Sequence, residues 1–133
     1  MDVLLRRLNP LGAVIIENKS NWAGDQPNQL YQYWYENIHK RKEDSDTDYY
    51  SKHPEYKIVY LVPDETKHIN SNSTSRPVDY PEDLPEELPM KPKVMTFHTD
   101  IPKWLGGCMK GLPAENTPLR NLIAQYIEYC KQL

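Results

Sequence analysis

The chain has 133 residues and a mass of 15.7 kDa, enough for one domain with a core of its own. Sixteen Lys and Arg against nineteen Asp and Glu leave a formal charge of −3, which excludes a strongly basic nucleic-acid coat but leaves room for a local positive patch. Two cysteines, Cys108 and Cys130, make neither a disulfide framework nor a paired metal motif. No apolar run approaches the roughly 18 residues that span a bilayer, so a cytoplasmic protein with no membrane partner is expected.

In chain order, Asp2 to Leu5 is a short apolar strand candidate, followed by a turn at Asn9-Pro10. Leu11 to Lys19 reads as a strand whose run Ala13-Val14-Ile15-Ile16 is too continuously apolar for an edge, so burial on both faces is expected. Gly24-Asp25-Gln26-Pro27 has the composition of a helix start, with Asp25 as cap and Pro27 in the first turn. That helix is predicted to reach about Arg41, with Leu30, Tyr33, Trp34 and Ile38 on one stripe. The mixed charges from Lys40 to Lys52 predict a solvated linker.

Tyr56 to Val62 and Val94 to His98 are two further strand candidates. Between them, six of the twelve prolines fall within residues 63–92, which predicts a long surface loop of extended character. Asp100 can cap a helix over Ile101 to Met109 that Gly111 ends. Thr117-Pro118 opens a last helix in which Leu119, Leu122, Ile123, Tyr126 and Cys130 keep the 3.6-residue period. About four strands and three helices make an α/β domain.

Chemistry concentrates at the end of the second strand. In Ile15-Ile16-Glu17-Asn18-Lys19, alternation sends Ile15, Glu17 and Lys19 to one face. An acid and an ammonium leaving a buried strand together are costly unless they pair or serve a bound ion. Taken alone, that spacing is common and describes a strand-end pair reaching solvent. Asp2, on an adjacent apolar strand, adds a second carboxylate. With Glu17 and the backbone carbonyl of Asn18 it makes a hard-oxygen pocket suited to Mg²⁺. A lysine beside such an ion can orient the attacking water and offset phosphate charge. Gln29 and Tyr33, four apart on the following helix, share a face.

The runs Asp2-Val3-Leu4-Leu5, Val14-Ile15-Ile16-Glu17-Asn18-Lys19 and Ala23-Gly24-Asp25-Gln26-Pro27-Asn28-Gln29-Leu30-Tyr31-Gln32-Tyr33 resemble the PD-(D/E)XK nuclease superfamily. The likeness is to a bacterial and phage branch with an Asp strand, an IIENK-type strand and a Gln helix. Asp100-Ile101-Pro102-Lys103-Trp104-Leu105 and Leu119-Arg120-Asn121-Leu122-Ile123 are similar to that branch's later helices. The resemblance implies a restriction-endonuclease-like core: a mixed sheet flanked by helices, N-terminally truncated here because the chain opens on the Asp strand. It implies a metal-dependent nuclease hydrolysing phosphodiesters, DNA ahead of RNA. In that reading Asp2 and Glu17 hold Mg²⁺ (or Mn²⁺) with the Asn18 carbonyl, Lys19 is the catalytic lysine and Gln29 points into the site. Tyr33, Arg6 and Arg7 are the expected substrate contacts. The alternative is an inactive remnant of the fold that binds nucleic acid or another partner.

Two expectations follow from the opening of the chain. An α-amino group beside Asp2, with an ordinary pKa of about 7.7–8.0, would compete with a bound cation. The uncovered first strand invites a second copy of the chain to pack there, making a homodimer. Elsewhere His39, His53, His68 and His98 show no ligand spacing, and Gly106-Gly107 lacks the context of a phosphate loop.

Overall fold

The computed structural model describes residues 1–41 and 55–133. Most of the polar run predicted from Lys40 to Lys52, and His53, thus lie outside the described residues. Strand β1 (Val3–Leu8) turns through Asn9 and Pro10 into β2 (Leu11–Asn18), antiparallel, with Val3 opposite Ile16 and Leu8 opposite Leu11. Strand β3 (Tyr56–Val62) runs parallel to β2, and β4 (Lys93–Thr96) parallel to β3, giving a mixed sheet in the order β1-β2-β3-β4. With three α-helices among the described residues, the architecture is α/β.

Residues opposite each other across a sheet share a face. One face therefore carries Ala13, Ile15, Tyr56, Ile58, Tyr60 and Val62, all buried. Helix α1 (Gln29–Asn37) covers it with Leu30, Tyr31 and Trp34, and Ile38 just beyond the helix completes the cluster. Burying such a set at roughly 1.5–3 kcal/mol per large apolar side chain is the main stabilisation of the fold. Tyr31 meets Trp34 edge-on with ring centroids 5.0 Å apart, so this aromatic group is core rather than a base-stacking platform.

On the opposite face Val14 and Ile16 are only half-buried, so the expected two-sided burial of β2 is met on one side and partial on the other. Helices α2 (Asp100–Lys110) and α3 (Thr117–Cys130) pack mainly on each other and reach the sheet chiefly through β4. They leave Trp104, Leu122 and Tyr129 exposed. No helix among the described residues is long and apolar enough to cross a membrane.

Three local expectations are corrected. Asp25 does not cap α1; the cap is Asn28, in the left-handed region at φ 60°, which Asn tolerates better than most residues. Its N–H donates to the Asn72 carbonyl at 2.7 Å and its side-chain amide to the Ser75 carbonyl at 2.7 Å. The helix ends at Asn37, and residues His39–Arg41 tighten into a 3₁₀ turn. The proline-rich segment is not merely a surface loop either. Its 3₁₀ turn Ser71–Ser73 buries Ser73, whose hydroxyl oxygen accepts from the Leu30 N–H at 3.3 Å. Met90 is buried in the core, and Ile69, Tyr80, Leu84 and Leu88 pack against it.

Candidate functional site

The C-terminal end of β2 delivers Glu17 on the α1 side of the sheet, and Lys19 follows immediately past the strand. Both are only 4% exposed. Lys19 Nζ lies 2.9 Å from Glu17 Oε1, so the two charges do pair at the mouth of the core. Gln29 opens α1 directly opposite them. Its amide nitrogen donates to Glu17 Oε1 at 3.0 Å and to the Tyr33 hydroxyl at 2.8 Å, while its amide oxygen accepts from Lys19 Nζ at 3.3 Å. One amide dipole is thus held between an anion and a cation, with its ends matched to both. Burial, reinforced by the Glu17 charge and opposed by the Gln29 hydrogen bond, pushes the Tyr33 phenol up to about 12.

Asp25 joins this cluster, which sequence reasoning missed because it was assigned to the helix cap. Its Oδ1 lies 3.8 Å from Lys19 Nζ and accepts from the Tyr60 hydroxyl at 2.6 Å, while its Oδ2 accepts from the Asn70 N–H at 2.6 Å. Lys19 also donates to the Gly24 carbonyl at 3.3 Å. The lysine is therefore framed by two carboxylates, an amide oxygen and a backbone carbonyl, which fixes its direction. Burial, together with the hydrogen bond to Asp25 and its charge, raises the Tyr60 phenol well above the ordinary range. The available signal was the short distance from β2 to Asp25, masked by the helix-start composition around it.

Asp2 sits beside the same strand end. Its N–H donates to the Ile16 carbonyl at 3.2 Å, and its Oδ2 accepts from the Asn18 N–H at 2.6 Å, so the carboxylate is fixed on the strand ladder. It is exposed where Glu17 is buried, and its charge reaches Tyr33. Asn18 turns its side chain back to accept from the Ser20 N–H at 2.9 Å. The Met1 nitrogen lies 3.2 Å from Glu17 Oε2 and donates to the Tyr33 hydroxyl. That approach is an ion pair without hydrogen-bond geometry, since Glu17 Oε2 is buried and accepts no hydrogen bond.

Arg6 and Arg7 are not brought here. Arg6 stands opposite Ala13, four residues from Glu17 along β2, so roughly 13 Å separates them at 3.3 Å per residue. Its Nη2 donates to Asn37 Oδ1 at 3.3 Å, and Arg7 Nε donates to the Pro10 carbonyl at 2.9 Å. With Arg41 they line an open cleft of about 270 Å³ at the hairpin end of the sheet.

Glu17 and Asp2 are the carboxylates at this strand end that could hold a hard dication, although Glu17 Oε2 already has the Met1 nitrogen at 3.2 Å. Glu17 Oε2 is a buried carboxylate oxygen without a hydrogen bond, and Asp2 adds a second carboxylate at the rim. Among the described residues no group of three or more His, Cys, Asp and Glu could hold a metal. Mg²⁺ typically takes one or two carboxylates and fills its remaining positions with water and phosphate oxygens, so two acids suffice. Against known family models, curated proteins and solved structures alike, the chain returns no significant match, and the geometry above is what bears on its function.

Proposed function

We propose that this chain is a metal-dependent nuclease of the PD-(D/E)XK type, built on a restriction-endonuclease-like core and hydrolysing phosphodiesters in nucleic acid, DNA ahead of RNA. The observation that carries this reading is the convergence of Glu17, Lys19 and Gln29 within hydrogen-bond reach, with Asp2 on the neighbouring strand. Asp2, Glu17 and the Asn18 carbonyl would hold Mg²⁺, with Mn²⁺ as a substitute. Such an ion would supply Lewis-acid polarisation of a phosphoryl oxygen and a more acidic water.

The chain's own residues supply the rest. Lys19, held between Glu17, Asp25, Gln29 and the Gly24 carbonyl, would orient the attacking water and offset charge that builds on the phosphoryl oxygens. Gln29 is a positioning residue that keeps Glu17 and Lys19 in register. Tyr33, protonated up to about pH 12, offers a neutral hydroxyl beside the carboxylate.

The test is incubation of supercoiled plasmid and single-stranded DNA and RNA with Mg²⁺ or Mn²⁺. Cleavage by the wild type that Glu17→Gln and Lys19→Met each abolish is the expected result. A wild type that neither cleaves nor binds Mg²⁺ by calorimetry overturns the reading. One observation favours a non-catalytic nucleic-acid-binding remnant instead: Glu17 is already paired to two nitrogens, Lys19 Nζ and the Met1 nitrogen. Binding of DNA with a steep salt dependence, Mg²⁺-independent and without product, supports that alternative.

A further inference from the structure

Strand β1 forms one edge of the sheet, and among the described residues no strand pairs with its outer side. Leu5 is 58% and Leu8 76% exposed, and Val3 and Leu4 are also open to solvent. The strand contains neither Pro nor Lys, the residues that commonly blunt such an edge. Arg6-Arg7 lie near its end and Asp2 immediately precedes it, the Met1 ammonium being turned to Glu17. That distribution is self-complementary for antiparallel pairing.

Residues facing each other across paired strands lie on one face of the sheet, so a two-fold axis at this edge must pass midway between one residue and its own copy. With Leu5 on the axis, Leu4 meets Arg6 and Val3 meets Arg7, setting guanidinium groups against aliphatic chains. With Leu4 on the axis, Val3 meets Leu5 and Asp2 meets Arg6. Apolar groups then face apolar groups and the acid faces the base. Asp2 and Arg6 also share the α1 side, since Arg6 stands opposite buried Ala13 and Asp2 lies next to the Glu17 end of β2.

We infer that a second copy of this chain pairs antiparallel through β1 about a two-fold axis at Leu4, setting the partner subunit's Arg6 against Asp2 at the rim of the site. The two four-stranded sheets become one continuous sheet. The arginine that lies about 13 Å from Glu17 within one subunit is thus supplied to the site by the other. A guanidinium has five donors in a planar fork, enough to hold Asp2 and still face a phosphate oxygen. The assembly itself is independent of the nuclease reading; the use of the partner's Arg6 toward phosphate rests on it.

Light scattering and sedimentation of the full chain should give twice the 15.7 kDa monomer mass. In a Cys108→Ser background, Leu4→Cys should cross-link on mild oxidation, because paired residues on the axis lie about 4.5–5.5 Å apart, within disulfide reach. Leu5→Cys should not, because its copies sit diagonally, about 7–8 Å apart. Arg6→Asp should lose the dimer, and Asp2→Arg combined with Arg6→Asp should regain it, which separates interface loss from misfolding. A monomeric wild type, a cross-link through Leu5→Cys instead of Leu4→Cys, or an Arg6→Asp variant that remains dimeric overturns the inference. A dimer that neither cleaves nor binds Mg²⁺ overturns the nuclease reading alone, and a monomer that cleaves overturns the dimer alone.

Discussion

Replacing Lys19 by Met keeps most of the side-chain volume and deletes the ammonium between Glu17 and Asp25. Removing one partner of a buried pair strands the other charge and costs about 3–5 kcal/mol. Here Glu17 keeps the Gln29 amide at 3.0 Å and the Met1 nitrogen at 3.2 Å, which sets the expected loss at the low end, about 3 kcal/mol. Domains of comparable size lose a few degrees of Tm per kcal/mol, so the shift should be on the order of 10 °C. Adding Glu17→Gln to Lys19→Met should restore part of the loss, because Glu17 no longer stands uncompensated while Asp25 still lacks the ammonium. Denaturant titration followed by fluorescence, to which buried Trp34 contributes, measures both variants. The single variant should also bind Mg²⁺ more tightly than the wild type, since a competing cation beside Glu17 is gone, while cleavage is lost. A Lys19→Met protein within about 0.5 kcal/mol of the wild type would refute the reasoning, because it would show the pair to be worth no more than a surface contact.

Three more outcomes are expected. The phenols of Tyr31 and Tyr33 are pushed up to about 12 and that of Tyr60 higher still, so the folded state holds these protons more tightly than the unfolded chain does. Stability should stay level below the ordinary tyrosine pKa of about 10 and fall as pH rises from there through about 12, read by near-ultraviolet tyrosinate absorbance alongside denaturation midpoints. Asp25→Asn removes the negative charge beside Lys19 and Tyr60, and should cost about 1–3 kcal/mol and let the Tyr60 phenol titrate at lower pH; an unmoved Tyr60 titration contradicts the contact. Met90→Ala, far along the proline-rich segment, should cost about 2–5 kcal/mol by denaturant melt, where a loop without core contacts would lose nothing measurable.

How far these features can be read from the residues depends on which signal carries them. The strand Tyr56–Val62 is legible to the residue because β-branched and aromatic side chains alternate between turn signals. The pairing of Glu17 with Lys19 follows from alternation along one strand, and their meeting with Gln29 from a helix that starts soon after. Asp25 misleads because Asp before Pro at the head of an apolar stripe has the composition of a cap, whereas tertiary partners on β3 and at Asn70 claim its carboxylate. Tyr80, Leu84, Leu88 and Met90 go unnoticed as core because their spacing, set by prolines, fits neither the strand nor the helix period. Arg6 and Arg7 look close to Asp2 in sequence, but an extended strand carries four residues as far as a small domain's radius.

The way α1 begins ties the site's behaviour to a remote stretch of chain. Asn28 is held by the Asn72 and Ser75 carbonyls, and Leu30 by the Ser73 hydroxyl, so the residue between them, Gln29, inherits its placement from a four-residue stretch more than forty positions later. Grafting a different crossover in place of the proline-rich stretch would leave every ionic group in the cluster chemically intact. It would nonetheless release the amide that gauges their separation. Loss of function from changes near Asn72 should therefore be expected without any change in the charged residues themselves.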